Sequence, residues 1–154
     1  MKILFALLLL ATSFPSTSRT SWMRPEAFHL TVGMPRAEAI RALDKWTPKQ
    51  GKSANELIVD YSEDKSMTLE LRNGRVISIR FELFTYLNGV RGAFNEERDY
   101  LRQAHGDPRV ATKSILVYDN TLPNVMVVVT DDPKTEQGKK GLGVLAVRYY
   151  DPRT

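Results

Sequence analysis

The chain has no cysteine. That absence excludes disulfides, thiolate chemistry and the lipid anchor that bacterial lipoproteins carry on a cysteine, so the fold must rest on its core alone. Imidazole is scarce as well: His29 and His105 are the only two histidines. Zinc sites are built mainly from Cys and His at short paired spacings, and no such pairing exists in the sequence. No metal site, cofactor or catalytic residue is therefore expected. A nucleophile elbow of the G-x-S-x-G kind is missing. Gly51-Lys52-Ser53 looks like the end of a phosphate-binding loop, but Trp46 stands where that motif requires its first glycine. The acidic pairs Glu63-Asp64, Glu96-Glu97 and Asp131-Asp132 fall at expected turns or at a helix start. They read as solvated charge, not as acid–base dyads.

Charge of one sign is not concentrated anywhere. Twenty-two Lys and Arg oppose 18 Asp and Glu, for a net charge of +4. The basic residues are scattered, whereas a nucleic-acid binder carries a basic stripe, so no nucleic-acid partner is expected. The chain has one long apolar run, Ile3 to Ala11 (ILFALLLLA). It is about half the roughly 20 residues that a membrane-spanning helix needs.

What surrounds that run gives it a meaning. Lys2 precedes it, and the small polar stretch TSFPSTSRTS follows it. Charge, short apolar core and small-residue tail make the pattern of a secretory signal peptide. Ser16 and Ser18 suit the small residues required at −3 and −1 of the cleavage site. Residues 1–18 are expected to leave as a signal peptide, and Lys2 leaves with them. The remainder, 19–154, reads as a single α+β domain, exported to the periplasm or the extracellular space, with no transmembrane helix.

Along the domain, Gly33-Met34-Pro35 opens a first helix, since proline suits a first helical turn. Ala39, Ile40, Leu43 and Trp46 space an apolar stripe along it, and Thr47-Pro48 ends it. Three strands follow. Leu57, Val59 and Tyr61 alternate with polar neighbours, as do Met67, Leu69 and Leu71. Ile77, Ile79, Phe81 and Leu83 alternate with Val76, Ser78, Arg80 and Glu82. Asn73-Gly74 predicts a tight hairpin turn between the second and third strands. A second helix is expected from Asn95, as its cap, to His105, with Leu101 and Ala104 beside Tyr100 as its apolar side. Gly106-Asp107-Pro108 stops it. Strands at about 114–119, 124–130 and 142–150 complete the chain, with a polar loop at 131–141. The order α-βββ-α-βββ gives two pseudo-repeats, about 30–83 and 95–150. The expected fold is one antiparallel sheet made from two α-βββ units and covered on one face by two helices.

Gly33-Met34-Pro35 with Glu38 and Ile40, then Asn73-Gly74 followed by Arg75-Val76-Ile77, form a recognisable combination. It resembles the helix start and the Asn-Gly hairpin of the SmpA/OmlA-type outer-membrane proteins, which share the β-lactamase-inhibitor-protein-like (BLIP-like) fold. Tyr100-Leu101 to Gly106-Asp107-Pro108 is similar to the helix end of such domains. The resemblance spans about residues 30–83 and 95–150. It implies an envelope protein that binds other proteins and does not catalyse. Pro35 departs from the Ser or Thr usual there, and the lipid-bearing cysteine is missing.

The halves differ in one respect. The first half's outer face is polar, with Thr68, Glu70, Arg72, Ser78, Arg80 and Glu82. In the second half both parities are apolar: Val125, Val127 and Val129 against Met126 and Val128, and Leu145, Val147 and Tyr149 against Val144, Ala146, Arg148 and Tyr150. Either residues 19–30 or a loop covers that second apolar side, or it is an exposed patch that marks a partner site. The expected function is a non-enzymatic module that binds another envelope or secreted protein, with Tyr118, Met126, Val128, Arg148 and Tyr150 as the contact residues. The alternatives are a binder of a small or lipidic ligand between sheet and helices, and an enzyme whose residues meet only in space.

Overall fold

The computed structural model describes residues 18–131, 134 and 136–153. The expected signal segment falls almost wholly outside the described residues, with Ser18 alone inside them. The described elements, in chain order, are α1 (Arg36–Ala42), β1 (Lys49–Gln50), β2 (Glu56–Ser62), β3 (Lys65–Arg72), β4 (Arg75–Tyr86), α2 (Leu87–His105), β5 (Val110–Ala111), β6 (Ile115–Tyr118), β7 (Asn124–Thr130), α3 (Glu136–Lys139) and β8 (Leu142–Tyr150). Short three-ten turns at Pro25–Phe28 and Asp44–Trp46 flank α1.

All the strands pair antiparallel in one sheet of order β1-β2-β3-β4-β8-β7-β6-β5. The protein is α+β, and its helices pack on the sheet. Read inward from either edge, each half contributes its strands in chain order, so the last strand of one half lies beside the last strand of the other. That seam, β4 against β8, runs through nine residue pairs from Ser78↔Tyr150 to Tyr86↔Leu142.

Period-two alternation explains the strands. Met67, Leu69 and Leu71 are buried on the inner, helix-covered face, as are Val125, Val127 and Val129. Asn73 and Gly74 both hold positive φ, 50° and 71°, as a type I′ turn requires. A bulge corrects the expected alternation at the start of β4: Glu70 pairs with Ser78 and Leu71 with Val76. The extra residue is Ile77, so Val76 and not Ile77 is buried.

The helices differ more from expectation. Pro35 is the residue before α1, in an extended conformation, and not its first residue. Ala39 and Leu43, one turn apart, face the core, while Ile40 is 38% exposed. The second helix does not start at Asn95. It starts at Leu87, directly after β4, so Asn95 is interior and caps nothing. Its buried stripe is Val90, Ala93, Phe94, Glu97 and Leu101; Ala104 and Tyr100 are exposed. Gly106 ends it with φ of 80° and donates to the Arg102 carbonyl.

Residues 18–30 run over the inner face. Met23, Phe28 and Leu30 join the core. Trp22 stacks on Tyr61 at 5.8 Å and meets Phe81 edge-on. This strap adds to the helix layer, so it does not cover the outer face.

Candidate functional site

The outer face is built by the residues that alternate away from the core, and its rows follow from the register. One row runs Ile58, Thr68, Arg80, Arg148, Met126 and Val117. The next runs Asp60, Ser66, Glu82, Ala146, Val128 and Ile115. Ile58 apart, the rows are polar over β2–β4, and Arg148 apart they are apolar over β6–β8. Phe84, paired with Val144, and Tyr150, paired with Asn124, extend the apolar part along the chain direction. Met126, Val128, Ala146 and Val117 are half-buried by one another, and Ile115 is exposed.

At the border between the two parts, Arg80 stands directly opposite Arg148. Like charges facing each other across a strand pair repel. Two carboxylates offset them. Arg148 donates from Nε to Ser78 Oγ at 2.7 Å and from Nη2 to Glu70 Oε2 at 2.6 Å. Its guanidinium carbon also lies 5.4 Å from the Tyr150 ring centroid. Arg80 Nε is 3.6 Å from Glu82 Oε1, and that buried nitrogen has no hydrogen-bond partner among the described residues.

Of the five residues expected to form a contact surface, Met126, Val128, Arg148 and Tyr150 share this face. Tyr118 does not. It pairs with Val125, whose side chain is buried on the inner face, and is itself fully buried. Desolvation raises its hydroxyl pKa, and no described residue bonds that hydroxyl. The error lies in parity: a residue opposite Val125 shares Val125's face. Sequence reasoning put Arg80 on the polar outer face of the first half without joining it to Arg148, and it missed Val117, Ile115 and Phe84 as members of the face. Their own alternation was legible, but their neighbours are set by strand pairings that no local pattern encodes.

A second polar feature lies on the inner side. Glu97 is fully buried, with Arg24 Nη1 at 3.0 Å from its Oε2. Nη1 also donates to the carbonyls of Thr20, at 3.2 Å, and Met23, at 3.1 Å. Both of its protons are thus directed at backbone oxygens, and Glu97 is held by charge more than by an aligned hydrogen bond. Desolvation raises the Glu97 pKa, and the Arg24 charge partly opposes that rise. Arg24 is sandwiched from the other side by the Tyr100 ring, 3.7 Å away. This pair ties the strap to α2.

The histidines stay apart from both features. His29 is exposed, with φ of 56° at the end of a three-ten turn. His105 closes α2 and contacts the Tyr118 ring at 6.1 Å. Gly51-Lys52-Ser53 forms the loop between β1 and β2, where Glu56 accepts from the Lys52 amide. Among the described residues no group of three or more His, Asp or Glu is placed to hold a metal ion, and no helix is long and apolar enough to cross a membrane. Comparison of the chain with protein-family models, curated proteins and solved structures finds no match.

Proposed function

We propose that the chain is an exported, non-enzymatic interaction module of the cell envelope or secreted space, which binds a protein partner through the outer face of its sheet. The observation that carries this reading is the apolar half of that face. Among the described residues, the strap and both longer helices lie on the inner face, and Met126, Val128, Val117 and Tyr150 keep part of their surface in contact with solvent. Contiguous apolar surface edged by charge is the composition of a binding patch. The guanidinium groups of Arg80 and Arg148 at its border select a partner that presents apolar side chains next to a carboxylate. The leader pattern supports export, and the resemblance to SmpA/OmlA-type proteins with a BLIP-like fold supports a binding role over catalysis.

The test is capture of partners by tagged protein, residues 19–154, from cross-linked envelope and culture medium, read by mass spectrometry. A triple variant, Met126→Ala, Val128→Ala and Tyr150→Ala, removes outer-face side chains without opening the core. Loss of one dominant partner by at least tenfold, with an unchanged circular dichroism spectrum, is the expected result. A partner retained by the triple variant would place the site elsewhere.

A further inference from the structure

Two residues remain outside that reading: Ser18, the last residue of the expected leader, and Glu96. The structure brings them together. The Arg19 backbone nitrogen donates to Glu96 Oε2 at 2.9 Å, and Ser18 Oγ donates to the same oxygen at 3.2 Å. The Arg19 guanidinium stands 3.7 Å from Glu96 Oε1. The chain is built into the fold on both sides of the Ser18–Arg19 bond: the Ser18 carbonyl accepts from the Ser21 amide at 3.3 Å and from the Ser21 hydroxyl at 3.0 Å. The Arg19 carbonyl accepts from Trp22 Nε1 at 3.0 Å. The Thr20 carbonyl accepts from the Met23 amide at 2.8 Å and from Arg24 at 3.2 Å, and Thr20 itself is fully buried. A cut beyond Thr20 would remove these contacts. A cut after Ser18 gives up the contacts of Ser18 itself, keeps those of the Arg19 and Thr20 carbonyls, and satisfies the small-residue rule at −3 and −1.

We infer that the leader is removed between Ser18 and Arg19, and that Glu96 captures the new chain end. This rests on the export reading above. Hydrolysis of the Ser18–Arg19 amide consumes one water. The hydroxyl goes to the Ser18 carbonyl carbon and a hydrogen to the Arg19 nitrogen, and the free amine then takes one proton from solvent. The product is an α-ammonium at the position of an N–H that already points at a carboxylate. A neutral hydrogen bond thereby becomes a charge-assisted one. Glu96 then holds both charges of Arg19, and processing strengthens the attachment of the strap to α2.

The experiment expresses the full chain with its own leader in a bacterial host and determines the intact mass and N-terminal sequence of the exported product. Arg19 as first residue is expected. A product that starts at Phe14 or Ser21 overturns the assignment and leaves export standing; a full-length chain retained in the cytoplasm overturns both. Ser18→Phe should block cleavage and accumulate the precursor, and normal processing of that variant would also count against the site. For the captured ammonium, Glu96→Gln should lower the Tm of the processed protein by about 1–3 °C at pH 7, the scale of one exposed ion pair. The ammonium's pKa is raised by its partner above the ordinary value of about 7.7–8.0. Its contribution is therefore whole below that value and lost as pH rises through the higher one. The Tm difference should shrink between pH 7 and 10, and a difference that stays constant over that range overturns the capture.

Discussion

Glu97 and Arg24 show how much one side chain's neighbours decide. Read along the sequence, Glu97 is half of an acidic pair near a helix start. In the fold it lies mid-helix on the core side, with Arg24 as its charged partner. The misreading has a physical source. Leu87 to Ala93 contains Gly89 and Gly92, which weaken any helical signal, so the helix is not legible there. Burial of Val90, Ala93 and Phe94 supplies what propensity lacks. Two consequences can be measured. Glu97 has a folded pKa above its ordinary 4.5, so the folded state binds the proton more tightly. Its effect on stability is most favourable below that ordinary value and worsens as pH rises through the folded one. Urea midpoints should therefore fall from pH 4 toward neutrality in a way that Glu97→Gln flattens. Arg24→Met leaves a buried carboxylate unpaired and should cost about 3–5 kcal/mol at pH 7, and less at pH 4. Equal losses at both pH values would show that packing, not charge, is what Arg24 provides.

Elements were legible where periodicity is strict. β3, β7 and β8 fall where alternation puts them, and the Asn73-Gly74 turn has the backbone its residues favour. The one-residue bulge at Ile77 was not legible, because it depends on what Leu71 meets across the sheet. α1 illustrates a narrower limit. Ala39, Ile40 and Leu43 are all apolar on paper, and only tertiary packing decides that Ala39 and Leu43 join the core while Ile40 lies outside. Leu43→Ala should destabilise by about 2–5 kcal/mol, as buried truncations do. Ile40→Lys should stay within about 0.5 kcal/mol of wild type by chemical denaturation. A reversed order would mean that α1 turns its other side to the core. The two edge strands, β1 and β5, escaped notice because two residues carry no period.

At the scale of the molecule, the α-βββ repeat predicted a single sheet covered on one side, and the structure is that sheet. The strand order could not be read, since it depends on which two strands meet at the centre. That meeting also governs the outer face: Arg80 and Arg148 are 68 residues apart in sequence and become neighbours only through the seam. The four correctly placed face residues came from parity alone, and Tyr118 was lost by the same rule applied one residue out of register. Because the central seam joins the halves, each half alone exposes its longest strand along one edge and the inner-face apolar residues the other half would cover. Fragments 18–86 and 87–153 should each lack a cooperative thermal transition, and mixing them should restore one together with the native β-sheet spectrum. A cooperative transition in either fragment alone would show that the repeat unit is self-sufficient.

The sheet also tapers. Its central strand β4 has 12 residues, whereas β1 and β5 at the two rims have two each. β1 pairs with only Leu57 and Ile58 of β2, and β5 with only Leu116 and Val117 of β6, so each rim is broken into short, staggered pieces of two strands, and Lys49 adds a charge at one rim. Growth of fibres by stacking molecules rim to rim is thus starved of a template, even though the strands are rich in valine and isoleucine. Stacking rim to rim is thereby disfavoured, and association is steered from the rims to the broad surface between them.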